Sequence, residues 1–386
     1  DTAAAAAVGA AGGGAARGRV AGTAAASWAD QERESRAALL HADANAAESV
    51  QYEGDALRRL AAAGITSVLA VPPQGLIRGQ SALVNVTAPP DPNEISAVGS
   101  YRRGVVVLRS GVAQHVTFAT GGRGGGGYPG ALLGVIAFVR QAFYDAQWQK
   151  DARAFADRHK DAVIGSFEPA LDALAPALDR KMPVAFEAGE QREIIRALGL
   201  AKEFNLDPVI IGGLEASAVI DDLRAAKARV IVSANFQNAA GGGRGRGGAG
   251  AAGAANEADT AIRIIRMRQN APKVPAALDK AGIAFAFTQG GLQNPSDFVR
   301  NVGRVVKEGG LSEDAALKAL TTNAAKFAGV SDRLGTLEKG KIANVVVTEG
   351  ALFDNPRIRH VFVAGWPIDL DVPAPAAAAA PGRGRN

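Results

Sequence analysis

The side chains in this sequence that could do chemistry are carboxylates, amides and a few histidines, because it contains no cysteine. Disulfides, thiolate metal sites and cysteine nucleophiles are excluded. The four histidines are His41, His115, His159 and His360, and no His-x-His occurs. His41-Ala-Asp43 comes nearest to a ligand pair, yet its charged surroundings predict a solvated helix face. Glu187 ends an apolar run and has two open readings. It either ligates a hard cation together with other oxygen donors or pairs with an arginine. Glu215 and Asn235 follow similar runs and are expected to line the mouth they build. Gln289, next to Thr288, can hydrogen-bond a ligand but cannot act as a base in place of an aspartate.

Between residues 182 and 236 the elements that must position these side chains alternate. Met182-Pro-Val-Ala-Phe-Glu-Ala188 predicts a strand, broken by Gly189. Ile194, Leu198 and Ala201 then recur at helical spacing. Pro208-Val-Ile-Ile-Gly212 predicts the next strand, Ala216, Val219, Ile220 and Leu223 the next apolar stripe, and Arg229-Val-Ile-Val-Ser233 the third strand. Short apolar strands alternating with amphipathic helices imply a parallel sheet covered by helices.

The remaining pattern extends this in both directions. Strands are expected at residues 65–71, 82–86, 104–108, 115–119 and 283–288. Helices are expected at 55–63, from Tyr128 to Trp148, separately at 150–163, and at 259–269, 275–281, 295–308 and 312–325, the last with Ser312 as N-cap. Residues 334–369 change to short strands and turns, at 335–340, 343–348 and 358–364.

Composition narrows the classes. A chain of 386 residues has room for one large α/β barrel or two ordinary domains. No window approaches 18 uncharged apolar residues, so no membrane span is expected. The net charge of +5 is spread along the chain, and the glycine-arginine runs at 121–127 and 239–255 lack interleaved aromatics. They are expected to be flexible surface insertions rather than nucleic-acid contacts. Residues 1–27 and the tail from Val372 are expected to be poorly ordered. Without cysteine and with Ala/Gly-rich tails, a periplasmic or secreted location is favoured over a cytoplasmic one.

From Gly282 to Asp369 the chain resembles the amidohydrolase superfamily, close to its imidazolonepropionase-like members. The likeness rests on Leu311-Ser-Glu-Asp-Ala-Ala-Leu-Lys-Ala-Leu-Thr-Thr-Asn-Ala-Ala-Lys-Phe-Ala-Gly329 and Leu334-Gly-Thr-Leu-Glu-Lys-Gly-Lys-Ile-Ala-Asn-Val-Val-Val347. The central strands and Leu57-Arg-Arg-Leu-Ala-Ala-Ala-Gly-Ile-Thr-Ser-Val68 share it. The resemblance implies an α/β fold with a TIM-like (β/α)8 barrel, incomplete at its N-terminus, and a small β-sandwich appendage. The implied division is a low-complexity and helical segment over 1–50, barrel over 51–330, sandwich strands over 331–370 and a disordered tail over 371–386.

Such proteins use zinc or another divalent metal to activate water against cyclic-amide or similar C–N bonds. Their ligands are a His-x-His after strand one, histidines ending strands five and six, often a lysine on strand four, and an aspartate ending strand eight. Here Glu187 stands where the strand-five histidine belongs, Gly212 where the strand-six histidine belongs, and Thr288-Gln289 replaces Thr-Asp. No catalytic residue and no metal are therefore expected. The expected role is binding or assembly, as a homo-oligomer or subunit with room for a small-molecule ligand. The alternative is an active hydrolase with a rebuilt site. Nothing before Asp55 reads as the family's first sandwich strands or first barrel strand. Either a longer polypeptide was processed or fragmented, or another chain supplies them.

Overall fold

The computed structural model describes residues 28–50, 54–86, 100–102, 105–119, 129–161, 167–236, 254–354 and 356–370. The expected loose ends, at 1–27 and 371–386, lie outside these residues, as do the 121–127 run and most of the 239–255 run. In chain order the strands are β1 (Ser67–Ala70), β2 (Ile77–Gln80), β3 (Ala82–Asn85), β4 (Ser100–Arg102), β5 (Val105–Arg109) and β6 (Gln114–Thr117). Next come β7 (Val184–Ala188), β8 (Pro208–Gly212), β9 (Arg229–Ser233) and β10 (Phe285–Thr288), then β11 (Val345–Glu349), β12 (Arg357–Val363) and β13 (Trp366–Pro367).

The central sheet has the order β10-β9-β8-β7-β6-β2. From β6 to β10 every pairing is parallel, and only β2 runs antiparallel to its neighbour. Period-two alternation gives the sheet two faces. Val184, Phe186, Ile210, Val230, Val232 and Phe285 point to one, where they share a core with Phe138, Phe143, Ile194 and Leu198 of the helices Leu132–Arg158 and Gln191–Glu203. Ala113, Ala185 and Val209, with Ile211 and Ile231, form a smaller cluster on the other face.

One strand expected beside the central three is elsewhere. The 65–71 run yields β1, which pairs antiparallel with β3 in a separate sheet of order β1-β3-β5-β4. A parallel neighbour needs a crossover of about a dozen residues or more, usually a helix. Only residues 71–81 connect β1 to β3, and they carry β2 rather than a helix. The place beside β7 goes to β6, whose crossover contains the helix Leu132–Arg158. That helix also absorbs most of the separate 150–163 helix of the sequence reading, because nothing between Gln147 and Lys150 caps or breaks it.

The expected helix around His41 stops short of it. Trp28–Leu39 ends, and Leu40 forms a parallel bridge with Ile77 while His41 donates its backbone N–H to Ile77 O at 2.8 Å. Of the short strands and turns expected from 334 on, residues 335–340 form bends and turns. Ser312 does cap its helix, its Oγ accepting Ala315 N–H at 3.2 Å.

The three-stranded sheet β11-β12-β13 is antiparallel. Val361 and Val363 pack with Leu60 and Ala61 of the helix Gly54–Ala62 and with Val86 just past β3. Asn344 binds the two smaller sheets together. Its Nδ2 donates to Ser67 Oγ and to Asn85 Oδ1, both at 2.9 Å, and its Oδ1 accepts Ala364 N–H at 2.7 Å. Asn85 is fully buried and its Oδ1 also accepts from Ser67 Oγ at 3.0 Å, so removing Asn344 takes one of two donors from a carbonyl that water does not reach. Replacing Asn344 with alanine is expected to cost about 1–3 kcal/mol in urea unfolding, with faster hydrogen exchange at the Ala364 amide.

Candidate functional site

Parallel pairing from β6 to β10 brings the C-terminal ends of the strands to one side, so the loops carrying Glu187, Gly212, Ser233 and Thr288 leave the sheet together. Thr117 is the register partner of Glu187, and Ile211 is its partner on the other side. Of the two roles open to Glu187, pairing with an arginine is the one found. Arg78 Nη1 donates to Glu187 Oε1, while Arg78 Nη2 reaches Pro73 O at 3.2 Å. Arg78 comes from β2, whose register against β6 shifts between Ile77 and Gly79. The side chains are 26% and 34% exposed, so the pair has a solvent side and a protein side.

On its protein side lies His115 of β6, the register partner of Ala185 and of Gly79. His115 is fully buried, and neither ring nitrogen has a hydrogen-bond partner among the described residues. Arg78 Nε is likewise buried without a partner. Burial, and secondarily the charge of Arg78, hold the His115 pKa down to about 3. The imidazole is neutral at ordinary pH, and one of its nitrogens is a donor and the other an acceptor.

The neighbouring loops are tied by backbone capping. Glu193 Oε2 accepts the N–H groups of Gly189 at 2.9 Å and Glu190 at 3.1 Å, fixing the start of the helix after β7. Glu215 is engaged there too: Gln191 N–H donates to its Oε2 at 2.8 Å, and Arg263, paired with Glu190 at 2.7 Å, lies 4.0 Å from it. Gly212 adopts φ +106°, a backbone conformation that a side chain would strain.

Beyond β9, Asn235 is 3% exposed and donates through Nδ2 to Gly290 O at 3.0 Å, while its N–H donates to Ser233 Oγ at 3.1 Å. Gly290 sits so close that a Cβ there would fall 2.0 Å from Ser233 Oγ. Thr288 O accepts Ala234 N–H at 2.8 Å, and Thr288 and Gln289 are half-buried.

The sequence-derived residues thus fall into two groups. Glu187, Gly212 and Glu215 lie around β7 and β8, whereas Asn235, Thr288 and Gln289 lie around β9 and β10. The donor set does not fit a divalent metal: Glu187 is held by a guanidinium, Gly212 has no side chain, and Gln289 is neutral. Among the described residues no group of three or more His, Asp or Glu side chains is arranged to hold one. His41 Nε2 lies 3.1 Å from Ala38 O.

Arg78 and His115 are the site residues that sequence reasoning passed over. The signal for His115 was present, as a histidine inside an apolar strand. Nothing local marked Arg78, whose partner lies 109 residues on.

Comparison with known proteins adds the following. The sequence pattern of the amidohydrolase family matches residues 161–368, more than half of the chain. An amidohydrolase from Thermotoga maritima MSB8 is similar over 84% of this chain and 76% of its own, with a TM-score of 0.63 and 20% identity. At that identity the likeness speaks to the fold. Ochratoxinase from A. niger matches 52% of this chain and 45% of its own at 16% identity and a TM-score of 0.38. A putative prolidase from Bifidobacterium longum matches 52% and 50% at 20% identity and 0.36. The chain therefore spans about three quarters of the first and half or less of the other two, whose scores carry no argument. No curated protein matches the chain.

His115 gives the site a pH signature. Its folded pKa lies below the unfolded value of about 6.5, so below that pH the unfolded chain binds a proton that the folded chain refuses. Its contribution to stability is fully present above about pH 6.5 and is lost as pH falls towards 3, at on the order of 1 kcal/mol per pH unit. In urea unfolding followed from pH 7 to pH 4, His115→Gln is expected to show a shallower acid limb than the wild type.

Proposed function

The chain belongs to the amidohydrolase family, and on that premise we propose that it is a binding member of the family that works without metal-dependent catalysis. The observation that supports this reading best is the Arg78–Glu187 pair. A divalent metal and a guanidinium compete for the same carboxylate oxygens, and here the cation is covalently part of the protein. In metal-dependent hydrolysis the ion supplies the nucleophile and several kcal/mol of transition-state stabilisation. Glu187, Gly212 and Gln289 cannot replace that contribution, because one is neutralised, one lacks a side chain and one is uncharged. No metal cofactor belongs to this reading.

In this reading the five parallel strands are part of a (β/α)8 barrel spanning 51–330, and the sheet at 331–370 belongs to a β-sandwich beside it. The protein acts as a homo-oligomer or an assembly subunit, with a small-molecule ligand received at the strand ends. Backbone edges of the small C-terminal sheet favour such pairing. The competing reading is a hydrolase with a site rebuilt around Glu187.

Metal analysis separates the two. Protein purified from zinc-supplemented cells and dialysed free of loose metal is expected to carry well below one equivalent of any divalent ion, and stoichiometric zinc would instead favour the hydrolase. Light scattering tests the assembly component. A concentration-independent oligomer is expected at micromolar protein; a stable monomer with protected amides across 343–364 would mean that the sheet edge is covered internally.

A further inference from the structure

Among the described residues, both ring nitrogens of His115 and Nε of Arg78 are buried without a hydrogen-bond partner, and the Arg78 charge is near enough to act on the His115 ring. A buried polar atom without a hydrogen bond is costly to leave so, and the arrangement suits an occupant. Charge says what kind. Arg78 is positive, Glu187 opposite it is negative, and His115 is neutral, so the cluster sums to zero. An added anion or cation would be buried against that balance without a counter-charge, which is expensive in a partly dehydrated place.

The hydrogen-bonding inventory leans to donors. Arg78 Nε offers only a donor, and the imidazole offers a second donor through whichever nitrogen carries the proton, while its other nitrogen accepts. Two donors, one from β2 and one from β6, suit an acceptor oxygen, and the imidazole acceptor suits an N–H beside it. Beside them the sheet face is apolar: Ala185 and Val209 are buried, and Ile211 and Ile231 are half-exposed towards the strand ends.

We propose that Arg78, His115 and Glu187 form a charge-balanced recess that receives an uncharged small molecule by its carbonyl oxygen, with a compact apolar body lying on Ala185, Val209 and Ile211. This rests on the binding role put forward above and names its ligand class. The Arg78–Glu187 pair is about a quarter to a third exposed, so it is only weakly held.

Three probes of one shape and different charge test this: isobutyramide, isobutyrate and isobutylammonium, titrated into the full chain at pH 7.5. The readouts are the histidine ring nitrogen signals, with His115 assigned through His115→Gln, and the apparent Kd. Isobutyramide is expected to bind saturably, in about the millimolar range normal for so small a fragment, and to shift the His115 signals. The two charged probes are expected to bind at least about tenfold more weakly.

The charge variants give the sharper result. Glu187→Gln makes the recess positive and should turn the preference to isobutyrate, and Arg78→Gln makes it negative and should turn it to isobutylammonium. Thermal unfolding of each variant shows that it is folded. A folded Glu187→Gln protein that gains nothing for isobutyrate overturns the proposal. So does wild-type protein in which isobutyrate binds as well as the amide, or in which no probe moves His115 and the donors hold only water. Metal content of the same samples keeps the two ideas apart: stoichiometric zinc defeats the metal-free reading, whereas zinc-free protein that ignores isobutyramide defeats the recess alone.

Discussion

The parallel register from β6 to β10 is the constraint on which the rest depends. Parallel strands cannot be joined by tight turns, so each step along the sheet needs a long return, and those returns become the helices that bury Phe186, Ile210 and Val230. The same register sends every strand out of the sheet on one side. Glu187, Gly212, Ser233 and Thr288 share that side because of pairing, whatever their chemistry. Family membership and the likeness to the Thermotoga amidohydrolase agree with this architecture.

On that platform the balance of charge is local and unusual. Glu187 faces Arg78 from a strand running the opposite way, and His115 lies beneath them without a hydrogen bond. A surface ion pair of this exposure stabilises a fold little. Its larger effect is on chemistry, because the guanidinium of Arg78 occupies an oxygen of the Glu187 carboxylate. The glycine at the sixth-strand position has its own cause: with φ +106° it makes the turn that lets Gly213 N–H reach Ala188 O at 3.0 Å.

The smaller sheets depend on packing of another kind. β1 and β3 pair because the chain between them is too short for a parallel return, and the C-terminal sheet leans on Leu60, Ala61 and Val86. Asn344 supplies the polar junction, with three hydrogen bonds to residues far away in sequence. A single side chain thereby couples the C-terminal segment to the first strands of the chain.

By itself the sequence determined the kind of each central element. The alternation of Val184, Phe186 and Ala188 with Ala185 and Glu187, and the helical spacing of Ile194, Leu198 and Ala201, are local properties of the chain, legible without knowing its neighbours. It also determined what stands at the strand ends: Glu187, Gly212 and Gln289. Tertiary structure decided which strand lies beside which, and so placed β6 rather than β1 next to β7. It likewise decided that Arg78 meets Glu187 across 109 residues and that His115 is buried beneath them. The physical reason is that periodicity records which face of an element is apolar, but it carries no information on the partner that face or edge will meet, and a site's charge balance exists only once those partners are in place.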